Sequence, residues 1–312
     1  MAADQVTTLT EKYYLKDLVD NIFKTNALLS KLKEGIREYD GGNSIVVPLE
    51  YAVAASGSSF TGLGLLDTAI GDIATQAQFE WRQYYVTLGW SRLDYLKNRS
   101  SKARIVDLVE AVTNNASKTM QENLTTGLFQ ATKAKGTDID GLAVAALAVN
   151  TTAYGGLSST DFTSWQPGGA AAGRDTSTTT VSLSAMNVIY RLASDGNDHV
   201  NLIVTSDTIF GFIYNLLTPN QQFVNTTDLK TGFTTLTWNG VPIITDKVST
   251  GEYIYFLNTK HIWLAAHEEE NMRYEKPKQP ANQAASIGQV FWMGNIVGDS
   301  RRRLGAMTNV DS

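Results

Sequence analysis

The sequence predicts an α+β fold, and three observations carry that prediction. Two stretches rich in β-branched and aromatic residues, 44–53 and 77–91, read as strands separated by a long run of Gly, Ser, Ala and Thr. Ile105, Leu108, Val109, Val112, Ala116, Met120, Leu124 and Leu128 recur at three- and four-residue steps, the pattern of one long amphipathic helix. From residue 184 onward, short helical and strand patterns alternate, punctuated by Gly, Asn, Asp and Pro.

Composition narrows the function classes. The chain has 312 residues, 43% hydrophobic and 18% charged, inside the range of folded globular proteins. Its length allows two domains, or one domain with large excursions. Cysteine is absent, which removes disulfides, thiolate metal sites and a cysteine nucleophile and fits an intracellular product. Residues 1–10 are polar, without a basic cluster or an apolar run, so no secretory signal is expected, and no stretch reaches the apolar length of a membrane span. The net charge of -5 and a pI near 5.3 argue against tight, sequence-independent binding to a phosphate backbone. A mildly acidic wall could still enclose DNA without adhering to it.

Taken in order, Tyr14, Leu15, Leu18, Val19, Ile22 and Phe23, then Leu28, Leu29, Leu32 and Ile36, predict one or two short helices within 10–39. Asp40-Gly41-Gly42-Asn43 breaks that pattern. The connection between the strands at 44–53 and 77–91 has more than twenty residues, whereas hairpin loops commonly have about two to five; a tip that long is expected to have its partner elsewhere. Within 77–91 the apolar face changes. Phe79 and Trp81 alternate with polar Gln78, Glu80 and Arg82, but Tyr84, Val86, Leu88 and Trp90 lie on the face that began polar. Either the two ends pack on different partners, or the strand is twisted or bulged. Ser100 and Ser101 precede the long helix; at about thirty residues it would be roughly 45 Å long, so an elongated fold is expected.

Residues 143–173 are dominated by Ala, Gly, Ser and Thr, with Tyr154-Gly155-Gly156 and Trp165-Gln166-Pro167-Gly168-Gly169, and read as loops. A helix at 184–193 stops at Asp195-Gly196, a strand covers 200–204, and a helix at 208–217 stops at Pro219. Leu236-Thr237-Trp238 and Val241-Pro242-Ile243-Ile244 flank Asn239-Gly240, the pair that supplies positive φ to a type I′ hairpin turn. A further strand pair, 253–257 and 261–265, is joined by Asn258-Thr259-Lys260, completing a second α+β unit. The tail runs from Met272-Arg273-Tyr274 through a long strand at 286–297 to Arg301-Arg302-Arg303-Leu304.

Catalytic and ligand motifs do not stand out. His199, His261 and His267 sit in no metal-ligand or triad signature and are expected at strand ends in structural or solvated roles. Gly62-Leu63-Gly64-Leu65-Leu66 lacks the third glycine of a dinucleotide fingerprint and the Gly-Lys-Ser/Thr of a P-loop. Asp138-Ile139-Asp140-Gly141 starts like a calcium loop, but no acidic residue follows at the closing position, so a simple turn is expected. Neither catalytic residues nor cofactor or metal ligands are assigned. The concentrated charge runs are Glu268, Glu269, Glu270 and Arg301, Arg302, Arg303, which are either solvated turns or opposite charges paired across subunits.

Pro48-Leu49-Glu50-Tyr51, Gln78-Phe79-Glu80-Trp81, Gly240-Val241-Pro242-Ile243-Ile244-Thr245-Asp246 and Tyr253-Ile254-Tyr255-Phe256-Leu257-Asn258 are individually loose patterns. Their order and spacing, over nearly the whole chain, resemble the tailed-bacteriophage major capsid protein family of the Hong-Kong-ninety-seven type, whose fold also floors herpesvirus shells. The resemblance implies an N-terminal arm at 1–43, an extended hairpin loop at 44–92, a peripheral domain with a spine helix at 93–137, an axial domain at 138–267 and a return to the peripheral domain at 268–312.

The function implied is that of a non-enzymatic shell subunit, without cofactor or metal. It would self-assemble through hexamers and pentamers into the icosahedral or prolate head that encloses double-stranded DNA. Its place would be the virion capsid, with assembly in the host cytoplasm and no membrane partner. The hundred-residue scaffolding segment that opens some family members has no counterpart here, so a separate scaffolding protein is expected, or a mature form; portal and cement proteins are further partners. Phe60, Leu63, Leu65 and Leu66 at the hairpin tip are expected to lie over a neighbour. The rivals are an encapsulin-like compartment that stores an enzyme and a soluble α+β enzyme whose site forms only in space.

Overall fold

The computed structural model of the chain describes residues 26–53, 56–98, 108–130, 136–147, 153–168, 181–217, 236–249 and 253–308. The expected helix at Tyr14–Phe23, residues 99–107, and Pro219 lie outside the described residues.

Helix α1 (Ala27–Glu34) buries Ala27, Leu28, Leu29 and Leu32 in the main core. Its side chains thus follow the predicted spacing, but the helix ends at Gly35, and Ile36 leads into strand β1 (Arg37–Tyr39). The described part of the N-terminal segment is therefore docked on its own chain. A distant carboxylate caps it: the Leu28 amide donates to Asp246 Oδ2 at 3.3 Å, and the Val248 amide donates to Oδ1 at 3.0 Å. Burial holds the Asp246 carboxyl above its usual range, with these backbone donors opposing.

The strand expected at 77–91 is two strands. β2 (Ile45–Glu50) pairs antiparallel with β3 (Ala74–Phe79), and β4 (Arg82–Ser91) pairs antiparallel with the 14-residue β11 (Ala285–Gly298). The face change falls at the break, at Glu80 and Trp81, where the chain leaves one sheet for the other. The alternative of one bulged strand is corrected accordingly.

β11 organises the first sheet. β4 lies along one edge; β9 (Ile262–His267) and β10 (Arg273–Lys278) run end to end along the other, with β1 parallel to β9 outside. Gly294 pairs with both Arg82 and Ala266. A Cβ there would stand against the Ala265 carbonyl, inside any permitted contact, so only glycine fits. Leu88, Val290 and Trp292 face inward, beneath α3 (Leu108–Phe129), whose Ala116, Met120, Leu124 and Leu128 are buried. The 22 described residues of α3 span about 33 Å. A short helix not anticipated from the sequence, α2 (Arg92–Asn98), follows β4.

The second sheet has the order β12-β8-β5-β7-β6, from β5 (Leu202–Thr205), β6 (Leu236–Trp238), β7 (Val241–Thr245), β8 (Ile254–Leu257) and β12 (Gly305–Met307). Period-2 alternation gives β5, β7, β8 and β12 two buried faces. Val204, Ile244, Tyr255 and Leu257 join the main core, whereas Ile203, Ile243, Ile254 and Phe256 form a second core with helices α5 (Leu183–Ala193) and α6 (Asp207–Leu217). The Asn239-Gly240 turn has positive φ at both residues, 52° and 78°, as a type I′ turn requires.

Two readings of this region are corrected. The strands at 253–257 and 261–265 are not a hairpin: β8 belongs to the second sheet and β9 to the first. Each strand is buried on both faces, so each lies within a sheet of its own. The change of sheet falls at 258–261, and β12 carries 305–307 back to the second sheet. Residues 143–173 are not all loop, since α4 (Leu142–Ala146) is a wholly buried short helix.

Candidate assembly surfaces

The base of the β2–β3 hairpin is tied to the body. Ala77 and Phe79 are buried, the Gln78 amide donates to the Gly155 carbonyl at 2.8 Å, and Phe79 meets Tyr154 edge-on at 4.9 Å between ring centroids. Gly155 makes this approach possible: its φ is +62°, and a Cβ would come within 2.8 Å of Ala77 Cβ. One further rung, from the Tyr51 amide to the Ile73 carbonyl at 3.0 Å, closes the hairpin stem.

Beyond that rung the chain leaves the body. Leu63 and Leu65 are 104% and 101% exposed, as free of contact as in an extended peptide, and Phe60 and Leu66 are exposed as well. Val53, Ile70 and Ile73, which the sequence reading passed over, are exposed beside them. Scattered surface leucines are ordinary, but a single loop that exposes this many large apolar side chains has the character of an interaction surface.

The charge runs divide differently. Arg301 is 0% exposed. Its guanidinium donates to the carbonyls of Ala145 (2.9 Å), Val144 (2.7 Å) and Leu147 (3.2 Å), closing the carboxyl end of α4. Arg303 donates to the carbonyls of Asp195 (2.9 Å) and Asp198 (3.3 Å) and pairs with the Asp195 carboxylate. Arg301 is therefore not available at the surface, and Arg303 is largely held by backbone carbonyls and a carboxylate of this same chain. Arg302 alone of the three stands exposed. Glu268, Glu269 and Glu270 form a 3₁₀ turn inserted between β9 and β10; Glu268 and Glu269 are exposed, and Glu270 pairs with Arg273 at 2.6 Å.

His261 is bound more closely than a solvated strand end would be. Its Nδ1 lies 2.7 Å from Asp299 and its Nε2 2.6 Å from Asp198, joining three loops at the crossover between the sheets. The Asn258 amide, followed by His261, holds the Asp198 carboxyl below its usual range. Stability from this depression is present above about pH 3.9, the unfolded carboxylate value, and is lost as pH falls through the lower folded value. His261→Ala, which leaves two carboxylates facing each other, is expected to cost about 1–3 kcal/mol in thermal or urea denaturation. An unchanged midpoint would contradict this bridge.

An open cavity of about 580 Å³ lies between α1 and the sheets, lined by Lys31, Glu34, Asn201, Thr237, Thr259 and Trp263 among others, and none of the histidines faces it. No group of three or more His, Asp or Glu among the described residues could hold a metal ion, and no described helix is long and apolar enough to cross a membrane.

No protein-family profile and no curated protein matches the chain. Solved structures do. The capsid asymmetric unit of cyanophage A-1(L) superposes with a TM-score of 0.73 at 15% identity, over 98% of both chains. The chain has the tailed-phage capsid fold. The capsid of Myoviridae phage XM1 matches at a TM-score of 0.59 and 9% identity, over 95% of this chain and 96% of that one. The holo-SrpI encapsulin complex from Synechococcus elongatus PCC 7942 matches at 0.64 and 10% identity, over 99% and 95%. In this capsid fold, the β2–β3 hairpin with its bare tip is the element that projects from the body, and the α3 helix backs the sheet built on β11.

Proposed function

We propose that this chain is the major capsid protein of a tailed phage, a non-enzymatic subunit that assembles into the icosahedral or prolate shell around double-stranded DNA. The observation that carries the reading is end-to-end agreement in fold with phage capsid subunits, over 98% of both chains in the cyanophage comparison. The exposed apolar side chains of the tip support it, because such a loop gains further burial only against another molecule. The net charge of -5 suits a wall that encloses DNA without gripping it.

In this reading 1–43 form the N-terminal arm, 44–92 the extended hairpin, 93–137 the peripheral domain with its spine helix, 138–267 the axial domain and 268–312 the return. Hexamers and pentamers of the chain build the shell in the host cytoplasm, with a separate scaffolding protein, a portal and cement proteins as partners. Phe60, Leu63, Leu65 and Leu66 lie over a neighbouring subunit, and exposed Arg302 and Glu268–Glu269 supply charge at subunit contacts.

The encapsulin match favours a second reading, a compartment that stores an enzyme. The contents of purified particles separate the two: nuclease-protected double-stranded DNA is the expected result, whereas a packaged enzyme without DNA favours the compartment.

A further inference from the structure

A carboxylate at each nitrogen of an imidazole constrains where its protons sit. Nδ1 of His261 lies 2.7 Å from Asp299 Oδ1, and Nε2 lies 2.6 Å from Asp198 Oδ2, both within the range of charge-assisted hydrogen bonds. A carboxylate oxygen only accepts, and a neutral imidazole has a single N–H, so its other nitrogen would turn a lone pair toward an anionic oxygen. The further proton is not on Asp198, whose carboxyl is held below its usual range first by the Asn258 amide and then by His261. A ring with a proton on both nitrogens satisfies both contacts.

The charges around the ring lead to the same state. Asp195 and Asp198 belong to the turn between α5 and β5, and Asp299 follows β11. Arg303 pairs with Asp195 at 3.4 Å and reaches Asp198 at 4.0 Å; Lys260, in the turn that carries His261, stands 3.9 Å from Asp198. Three carboxylates thus meet two cationic side chains, and the imidazolium is the third cation. Near Asp299 lies the Tyr154 phenol, pushed upward by burial and so neutral, with Arg301 over its ring. Glu50 and Asp299 line the same small cavity, about 80 Å³, beneath the hairpin stem.

These groups stand where the chain passes from one sheet to the other. The 195–198 turn leads into the second sheet, Asp299 ends the central strand of the first, and 258–261 is the crossover. Backbone bonds close each segment: the Asp198 amide donates to the Asp195 carbonyl at 3.1 Å, the His261 amide to Asn258 at 3.0 Å and the Asp299 amide to His261 at 3.2 Å. We propose that His261 is a pH-sensitive clasp between the two sheets. As an imidazolium it joins the 195–198 turn to Asp299; on losing one proton it releases one carboxylate and loosens the crossover. Its contribution is present while the ring holds both protons and is lost as pH rises, opposite in sign to that of Asp198, which is lost in acid. The clasp therefore closes over a window of pH. It operates within one chain, so it goes beyond the shell reading and does not depend on it.

Nitrogen NMR of the full chain, with ¹⁵N-labelled histidine assigned through the backbone, reads the ring directly. At about pH 7 both His261 ring nitrogens are expected to resonate as protonated, and on raising the pH to about 9 one of them is expected to lose its proton. Over that step the amides of Asp198, His261 and Asp299 should exchange on the order of tenfold faster than base catalysis alone accounts for, the loss of one charge-assisted hydrogen bond. In Asp299→Asn the side-chain amide can donate to a bare Nδ1, so the alkaline loosening should disappear. A bare ring nitrogen at about pH 7 overturns the proposal. So does a ring that titrates without changing exchange at the three amides, or an Asp299→Asn chain that loosens as the wild type does. The first two readings use the wild-type chain, so they decide the matter even where the variant fails to fold.

Discussion

Replacing Leu63, Leu65 and Leu66 by serine is expected to abolish shell formation while leaving the melting curve of the free chain unchanged. The two halves of this result have one cause. These side chains are exposed in the isolated subunit, and surface substitutions of that kind shift stability by no more than about 0.5 kcal/mol. Their burial free energy, about 1.5–3 kcal/mol for each leucine when fully covered, is available only between subunits. Every subunit in a ring repeats the loss, so modest contacts that reinforce one another fail together. Particle counting by electron microscopy, paired with calorimetry of the unassembled protein, checks both halves. Unchanged particle yield would remove the tip from the assembly account, and a lowered melting temperature would show that it packs on its own chain. Hydrogen exchange gives an independent reading: tip amides should be protected in shells and open in free subunits.

The reverse pattern is expected at Arg301. Arg301→Met should lower stability by about 1–3 kcal/mol for each buried carbonyl it leaves unpaired, and the melting temperature by several degrees. Burial lowers the Arg301 guanidinium to about 10, opposed by Tyr154, which leaves it charged at neutral pH. It remains there because it satisfies the carbonyls of Val144, Ala145 and Leu147 at the carboxyl end of α4. Without it, those carbonyls are desolvated and unpaired. Arg301→Lys keeps a charge but lacks the planar fork and should recover only part of the loss. Arg302→Glu is the contrast, since Arg302 is exposed: an unchanged melting temperature with impaired assembly is expected. A destabilisation at Arg301 no larger than at Arg302 would contradict this account.

These two arginines also show how far the sequence could be read. A run of three arginines looks like solvated surface, and nothing in the local pattern says that the first residue turns inward; its partners are carbonyls more than 150 positions away. The long helix, the Asn239-Gly240 turn and the hairpin with an overlong tip were legible because each depends on local chemistry: apolar spacing, positive φ and loop length. The face change within 77–91 was legible as a signal, but its cause was not, because one strand that switches face and two strands in different sheets leave the same alternation. β8 and β9 read as a hairpin since both are apolar and a short turn joins them; that they enter different sheets follows from pairings with β5 and β11, made far along the chain. α4, all Leu, Ala and Val, has no polar face to reveal a helical period. The exposed tip was visible in the sequence, while α2 was passed over because a seven-residue helix is too short for periodicity to register.

The central claim is that this subunit works by closing into a shell with copies of itself. Negative-stain electron microscopy of the purified protein after size-exclusion chromatography, alone and with a scaffolding protein, tests it most directly. Closed polyhedral particles, or rings of six or five subunits, are the predicted result; a chain that stays monomeric under every assembly condition would contradict it.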